Sequence, residues 1–153
     1  MQLADGFARV VRDAPDERLE RIMRTRMRRA VLDGIFWQMP QHVNRKAIAG
    51  ADAVIRWEVT NAARGPDTYE LTLKDGRCSS RRGATDIQPT VTVTLDAVEL
   101  VKLATGNSDP MQAYFKGRLK LGGDIMFAAK LQVLFRIPGA LRRQASSTVS
   151  SSQ

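Results

Sequence analysis

The chain has 153 residues, 43% of them hydrophobic, which suits one domain with its own core and excludes a wholly disordered polymer. Its net charge of +8, from 24 Lys+Arg against 16 Asp+Glu, raises partners that carry phosphate, such as lipid head groups or nucleic acid. A single cysteine, Cys78, excludes a disulfide within the chain. With a single histidine, His42, far from it in sequence, it also excludes a four-ligand Cys/His zinc site.

The opening MQLADGFARVVRD has no long apolar stretch, so no signal peptide is expected. No window holds the roughly 18 uncharged apolar residues of a membrane span, and a cytoplasmic location is the default. Leu3, Phe7, Val10 and Val11 have helical spacing and predict a short helix over 3–12. Asp13 and Pro15 then read as a stop and a restart, with Asp16 and Glu17 placing acid at the positive end of the next helix. Leu19, Ile22, Met23, Met27, Ala30, Val31 and Ile35 continue an i, i+3, i+4 pattern through one helix over 16–39, which Pro40 disturbs. Arg18, Arg21, Arg24, Arg26, Arg28 and Arg29 fall mostly on its other face, where a solvated stripe is the plainest reading.

From residue 53 the period changes to two. Ile55, Trp57 and Val59 alternate with Arg56 and Glu58, and Tyr69, Leu71 and Leu73 alternate with Glu70, Thr72 and Lys74. Gly65-Pro66 sits in the turn between these strands, and Asp75-Gly76 is a two-residue hairpin signal. The returning strand, 77–82, is polar and reads as an edge. Val91, Val93 and Leu95 give a fourth strand among threonines. Asp96 with Glu99 has capping-box spacing, and Gly106 closes the helix that follows. Asp109-Pro110 starts another helix, which Gly117 ends, before a fifth strand over 118–121. Gly122-Gly123 turns the chain, Asp124 caps a last helix over 125–135, and Pro138-Gly139 stops it. The ending SSTVSSSQ is Ser-rich, is expected to be disordered, and is not a Ser-Lys-Leu peroxisomal address. The chain thus divides into an arm over 1–15, a folded domain over 16–140 and a tail over 141–153. Grouped strands flanked by helices make an α+β layout.

The motifs of chemistry are missing. There is no Walker loop, no Gly-x-Gly-x-x-Gly and no Gly-x-Ser-x-Gly elbow. Gly122-Gly123-Asp124 is better explained as a turn and a cap than as a nucleotide loop, and no two carboxylates can be paired for acid–base work. No cofactor and no enzymatic activity are expected. Large apolar side chains remain: Phe36, Trp37, Met39, Met111, Tyr114, Phe115, Met126, Phe127, Leu131, Leu134 and Phe135. Each taken alone is ordinarily core. Together they can also line a pocket, since pockets are mostly apolar and methionine adapts to irregular shapes.

The stretch 96-DAVELVKLATGNSDPMQAYFKGRLKLGGDIMFAAKLQVLF-135 resembles the sterol carrier protein type two domain. The features that carry the resemblance are Gly106, Asp109-Pro110, an apolar helix from Met111 to Gly117, Lys120, Gly123-Asp124 and the apolar run from Ile125 to Phe135. The strands 53-AVIRWEVT-60 and 69-YELTLKDG-76 are similar to the family's sheet. The resemblance implies a five-stranded, mostly antiparallel sheet with helices on one side, enclosing an apolar tunnel. It implies binding of a fatty acyl chain, acyl-CoA, phospholipid or sterol without chemistry. The ligand-lining residues it selects are Phe36, Met39, Trp57, Met111, Tyr114, Phe115, Met126, Phe127, Leu131, Leu134 and Phe135. The run 125–135, apolar nearly all round, then packs on the sheet with one side and faces a lipid with the other. Arg18, Arg21, Arg24 and Arg28 would meet an anionic membrane.

The alternative is an interaction or dimerisation module of a larger lipid-metabolising system, with the cavity closed by side chains; a homodimer fits this reading. Nucleic acid is disfavoured, because aromatic residues are not interleaved with the arginines as single-strand binders need.

Overall fold

A computed structural model describes residues 9–62 and 64–134. Phe135 and the tail lie outside the described residues, as do positions 1–8 of the arm; positions 9–13 are helical. The predicted helix over 16–39 is two helices, α1 (Asp16–Ile22) and α2 (Met27–Gln38). Thr25 divides them. Its hydroxyl donates to the Ile22 carbonyl at 2.6 Å and accepts from the Met27 N–H at 3.2 Å, so a side chain takes over bonds that a continuous helix would make with its backbone. The buried side is also rotated from the expected one. Leu19 and Met23, then Arg28, Leu32 and Phe36, point inward, whereas Ile22, Met27 and Ala30 are exposed. A 3₁₀ turn, Met39–His42, leads to α3 (Arg45–Ile48), capped by Asn44, whose side chain accepts from the N–H groups of Lys46 and Ala47.

The sheet is formed by β1 (Ala53–Thr60), β2 (Asp67–Lys74), β3 (Arg77–Arg82), β4 (Val91–Asp96) and β5 (Leu119–Gly123), in the order β3-β2-β1-β4-β5. Only the pairing of β1 with β4 is parallel. The Asp75-Gly76 turn joins β2 to β3 with positive φ at both residues (54° and 73°), the geometry that makes this dipeptide a hairpin signal. Asp96 ends β4 and caps α4 (Ala97–Ala104) through the Glu99 N–H at 2.8 Å. Asp109 caps α5 (Pro110–Phe115) and Asp124 caps α6 (Ile125–Ala128). The predicted last helix is broken as well. The Lys130 N–H bonds to the Phe127 carbonyl, three residues back instead of four, and α7, described over Leu131–Leu134, follows as a separate helix.

Period-two alternation decides the layering. On one face, β1, β2 and β4 present Ile55, Trp57, Val59, Tyr69, Leu71, Leu73, Val91, Val93 and Leu95, and the helices cover this face. The opposite face carries Arg56, Glu58, Thr68, Glu70, Thr72, Thr92 and Thr94. The link from β3 to β4 crosses that polar face, and the buried Glu70 holds it. The Glu70 carboxylate accepts from the Thr85 N–H at 3.0 Å, the Thr85 hydroxyl at 2.7 Å and Arg56 Nε at 2.8 Å. Arg56 Nη2 donates onward to the carbonyls of Thr85 and Ile87.

Burial opposes ionisation of Glu70, but the bonds from Thr85 and Arg56 outweigh it and hold the carboxyl below its usual value of 4.5. A depressed carboxyl stabilises the fold above its unfolded pKa, and the contribution is lost as pH falls through the folded value. Thermal unfolding of the wild type is therefore expected to lose a carboxylate-linked contribution below about pH 4.5. In Glu70→Gln that contribution is absent at neutral pH, at a cost of about 2–3 kcal/mol. This is less than the ~3–5 kcal/mol of a fully buried pair, because Arg56 is 21% exposed. Gly123 closes β5 at φ 87°, where an added Cβ would lie 2.4 Å from the Thr90 carbonyl oxygen. Gly123→Ala is expected to lower stability in urea titration by at least about 1–3 kcal/mol, from backbone strain alone.

Candidate functional site: the apolar layer between sheet and helices

The site is built in rows across the sheet. Leu71, Ile55 and Val91 form one row, and Tyr69, Trp57, Val93 and Leu121 the next. Val59, Leu95 and Leu119 form a third, with Asp67 at its end. Phe36 of α2 descends onto the middle row. Its ring stacks on Tyr69, with centroids 4.1 Å apart and planes 13° from parallel, and meets Trp57 edge-on at 5.8 Å. Leu100, Val101 and Leu103 of α4 complete the layer and are buried. Ala128 and Leu134 close it at the far end, where the Asn44 N–H bonds to the Leu134 carbonyl at 2.7 Å.

A polar network borders one end of this layer. Tyr69 Oη donates to Asp33 at 2.6 Å, one turn before Phe36 on the same helix. Arg82 bridges Asp33 and Asp67 at 3.5 and 3.4 Å. Arg28 binds Asp67 at 2.9 Å and donates to the carbonyls of Val59, Thr60 and Asn61, the last of β1 and its exit. Arg28 is only 8% exposed, so it does not belong to a solvated or membrane-facing stripe; Arg18, Arg21 and Arg24 are exposed. Burial, then the bond to Asp33, push the Tyr69 phenol above its ordinary range. Burial also pushes the Cys78 thiol up to about 11, so no nucleophilic thiolate is present at neutral pH. Among the described residues no group of His, Cys, Asp or Glu could hold a metal ion, and no helix is long and apolar enough to cross a membrane. This arrangement can bury hydrocarbon; its acids and bases are committed to ion pairs.

The residues singled out by sequence divide into three groups. Phe36 and Leu134 are buried, and Met39, Trp57, Phe127 and Leu131 are half-buried against the core. Met111, Tyr114, Phe115 and Met126 lie at the surface, with Phe115 and Met126 each 77% exposed. Phe135 lies outside the described residues. The structure therefore brings the first six to the layer and leaves four on its outside. Sequence reasoning missed the role of Arg28 and the Asp33–Tyr69 bond. A signal for Arg28 was present, since it precedes Leu32 and Phe36 by four and eight residues and so shares their face.

Residues 32–136 match the profile of the SCP-2 sterol transfer family. The mouse peroxisomal multifunctional enzyme type 2 is 28% identical over 107 residues, which is 70% of this chain but 15% of that enzyme. Among solved structures, a palmitated SCP2L2 from Aedes aegypti superposes with a TM-score of 0.53 at 22% identity, covering 66% of this chain and 86% of that one. An inverting sec-alkylsulfatase from Pseudomonas sp. superposes with a TM-score of 0.55 at 24% identity, covering 65% of this chain and 15% of that one. At these identities the structural likeness shows the fold. The profile match spans most of the chain, and the chain belongs to the SCP-2 sterol transfer family.

Proposed function

We propose that this chain binds one apolar lipid between the helix-covered face of its sheet and the α2 and α6–α7 helices, without catalysing a reaction. One observation supports this reading above the rest. Met39, Trp57, Phe127 and Leu131 pack against the core yet are only partly buried, which supports a layer that its own side chains do not fully seal. The palmitate carried by the Aedes aegypti neighbour is a ligand of the chemistry such a layer suits. Burial of each methylene is worth about 0.8 kcal/mol. A dozen would supply a gross ~10 kcal/mol, before ordering costs. Phe127→Asp and Leu131→Asp place charge in that layer, and each is expected to weaken uptake of a fluorescent fatty acid at least about tenfold while the sheet stays folded by circular dichroism. Unchanged affinity would remove α6 and α7 from the site.

The exposed Arg18, Arg21 and Arg24 would hold the protein at an anionic membrane, each contributing about 1 kcal/mol near the surface. Their replacement together by Gln is expected to reduce binding to phosphatidylserine vesicles on the order of a hundredfold at low salt, with binding to phosphatidylcholine vesicles unchanged. A second reading, a dimerisation or docking module, is favoured by the exposed Met111, Tyr114, Phe115 and Met126 and by the 15% of the mouse enzyme that this chain spans. Sedimentation tests it. A stable dimer that takes up no lipid would favour the module, and a monomer that takes up lipid the carrier.

A further inference from the structure

We propose that the indole N–H of Trp57 is the polar anchor of the lipid site and donates a hydrogen bond to an uncharged oxygen of the bound molecule, a hydroxyl or an ester-type carbonyl. The proposal rests on the lipid-binding reading above and specifies which ligands it favours. Trp57 occupies the central strand, between Tyr69 and Val93 and beneath Phe36. Among the described residues its Nε1 is the only buried side-chain nitrogen or oxygen without a hydrogen-bond partner. Buried donors are nearly always satisfied, so a lone one in a native layer calls for a reason. Phenylalanine would fill most of this space without leaving a donor unpaired. The residue is only partly buried although its nitrogen is enclosed, and a turn about the Cβ–Cγ bond would re-aim the N–H.

The surroundings determine the acceptor. The nearest hydroxyl in the row, Tyr69 Oη, is already given to Asp33. Arg82 is bound to Asp33 and Asp67, and Arg28 to Asp67 and the β1 carbonyls. One neutral donor among Phe36, Val93 and Tyr69 satisfies a neutral oxygen. An ionised carboxylate in the same place would lack both a cation and further donors, and its desolvation would go uncompensated.

The test compares wild type and Trp57→Phe by displacement of bound Nile red with three ligands of one chain length: dodecanol, laurate and dodecane. Dodecanol affinity is expected to fall about three- to tenfold in Trp57→Phe, the effect of one hydrogen bond, while laurate and dodecane affinities stay within twofold. Equal losses for all three would reduce Trp57 to packing, and a loss greatest for laurate would make the anchor an anion site; either overturns the proposal. A wild type that takes up none of the three overturns the lipid-binding reading itself, and this proposal with it. A second measurement is independent of folding in the variant. Trp37→Phe leaves Trp57 as the only tryptophan of the two in the chain, and Trp37 is 76% exposed, outside the layer. The hydrogen-bond-sensitive indole band in its ultraviolet resonance Raman spectrum is expected to shift with dodecanol and not with dodecane. No shift with dodecanol also overturns the assignment.

Discussion

The parallel pairing of β1 with β4 governs the rest of this molecule. Two parallel neighbours need a crossover, and the chain makes it after the β2–β3 hairpin, by returning from the edge across two strands. Had that link crossed the apolar face, it would have occupied the ground on which α2 and α4 pack. It crosses the threonine-rich face instead, where backbone and side-chain polar groups can be satisfied. Glu70 and Arg56 stand opposite each other on β2 and β1 and point to that face. Together they bond the loop through Thr85 and Ile87, so one ion pair links two strands and the crossover. The apolar face is left to helices and, by the reading proposed above, to a lipid.

How far the sequence predicts the structure depends on the range of the interaction. The strands were legible because alternation is local: Ile55, Trp57 and Val59 declare a face without reference to any partner. The Asp75-Gly76 turn and the caps Asp96, Asp109 and Asp124 act through their own backbone, and the structure has them all in place. The helices were less legible. Thr25 breaks 16–39 by hydrogen bonds that a hydrophobic pattern does not contain, and the 125–135 run breaks at Lys130 with nothing in composition to announce it. Glu99 fits a capping box by spacing, yet its carboxylate is buried and accepts from Ser108 at 2.5 Å, a partner nine residues on.

Arg28 and Trp57 show the same limit within the site. Arg28 is one arginine among six in a short stretch, and what separates it is the set of carbonyls at the end of β1, which only the fold brings near. Trp57 reads as an inward-facing residue of a strand in sequence. That its ring fits while its N–H goes unpaired is a property of three-dimensional packing, produced by Phe36 on one side and its row neighbours on the other.

The two ends of the layer are held differently, and this bears on how a lipid gains access. At one end, α2 is fastened to β2 twice, by the Phe36–Tyr69 stack and by the Asp33–Tyr69 bond three residues earlier on the same helix. Arg28 and Arg82 add charged bonds to Asp67 at that end. At the other end, α6 is four residues, too short to be stable by its own hydrogen bonds, and among the described residues it and α7 are held by a few packed side chains and the Asn44–Leu134 bond. Local opening follows the cheapest contacts to break. Among the described residues, opening α6 and α7 exposes Phe127, Ala128, Leu131 and Leu134, whereas lifting α2 breaks a stack and a cluster of charged hydrogen bonds. By the reading proposed above, access from the α6–α7 side would leave the polar end of the layer intact, and a lipid admitted there would meet Phe127 and Leu131 before the sheet.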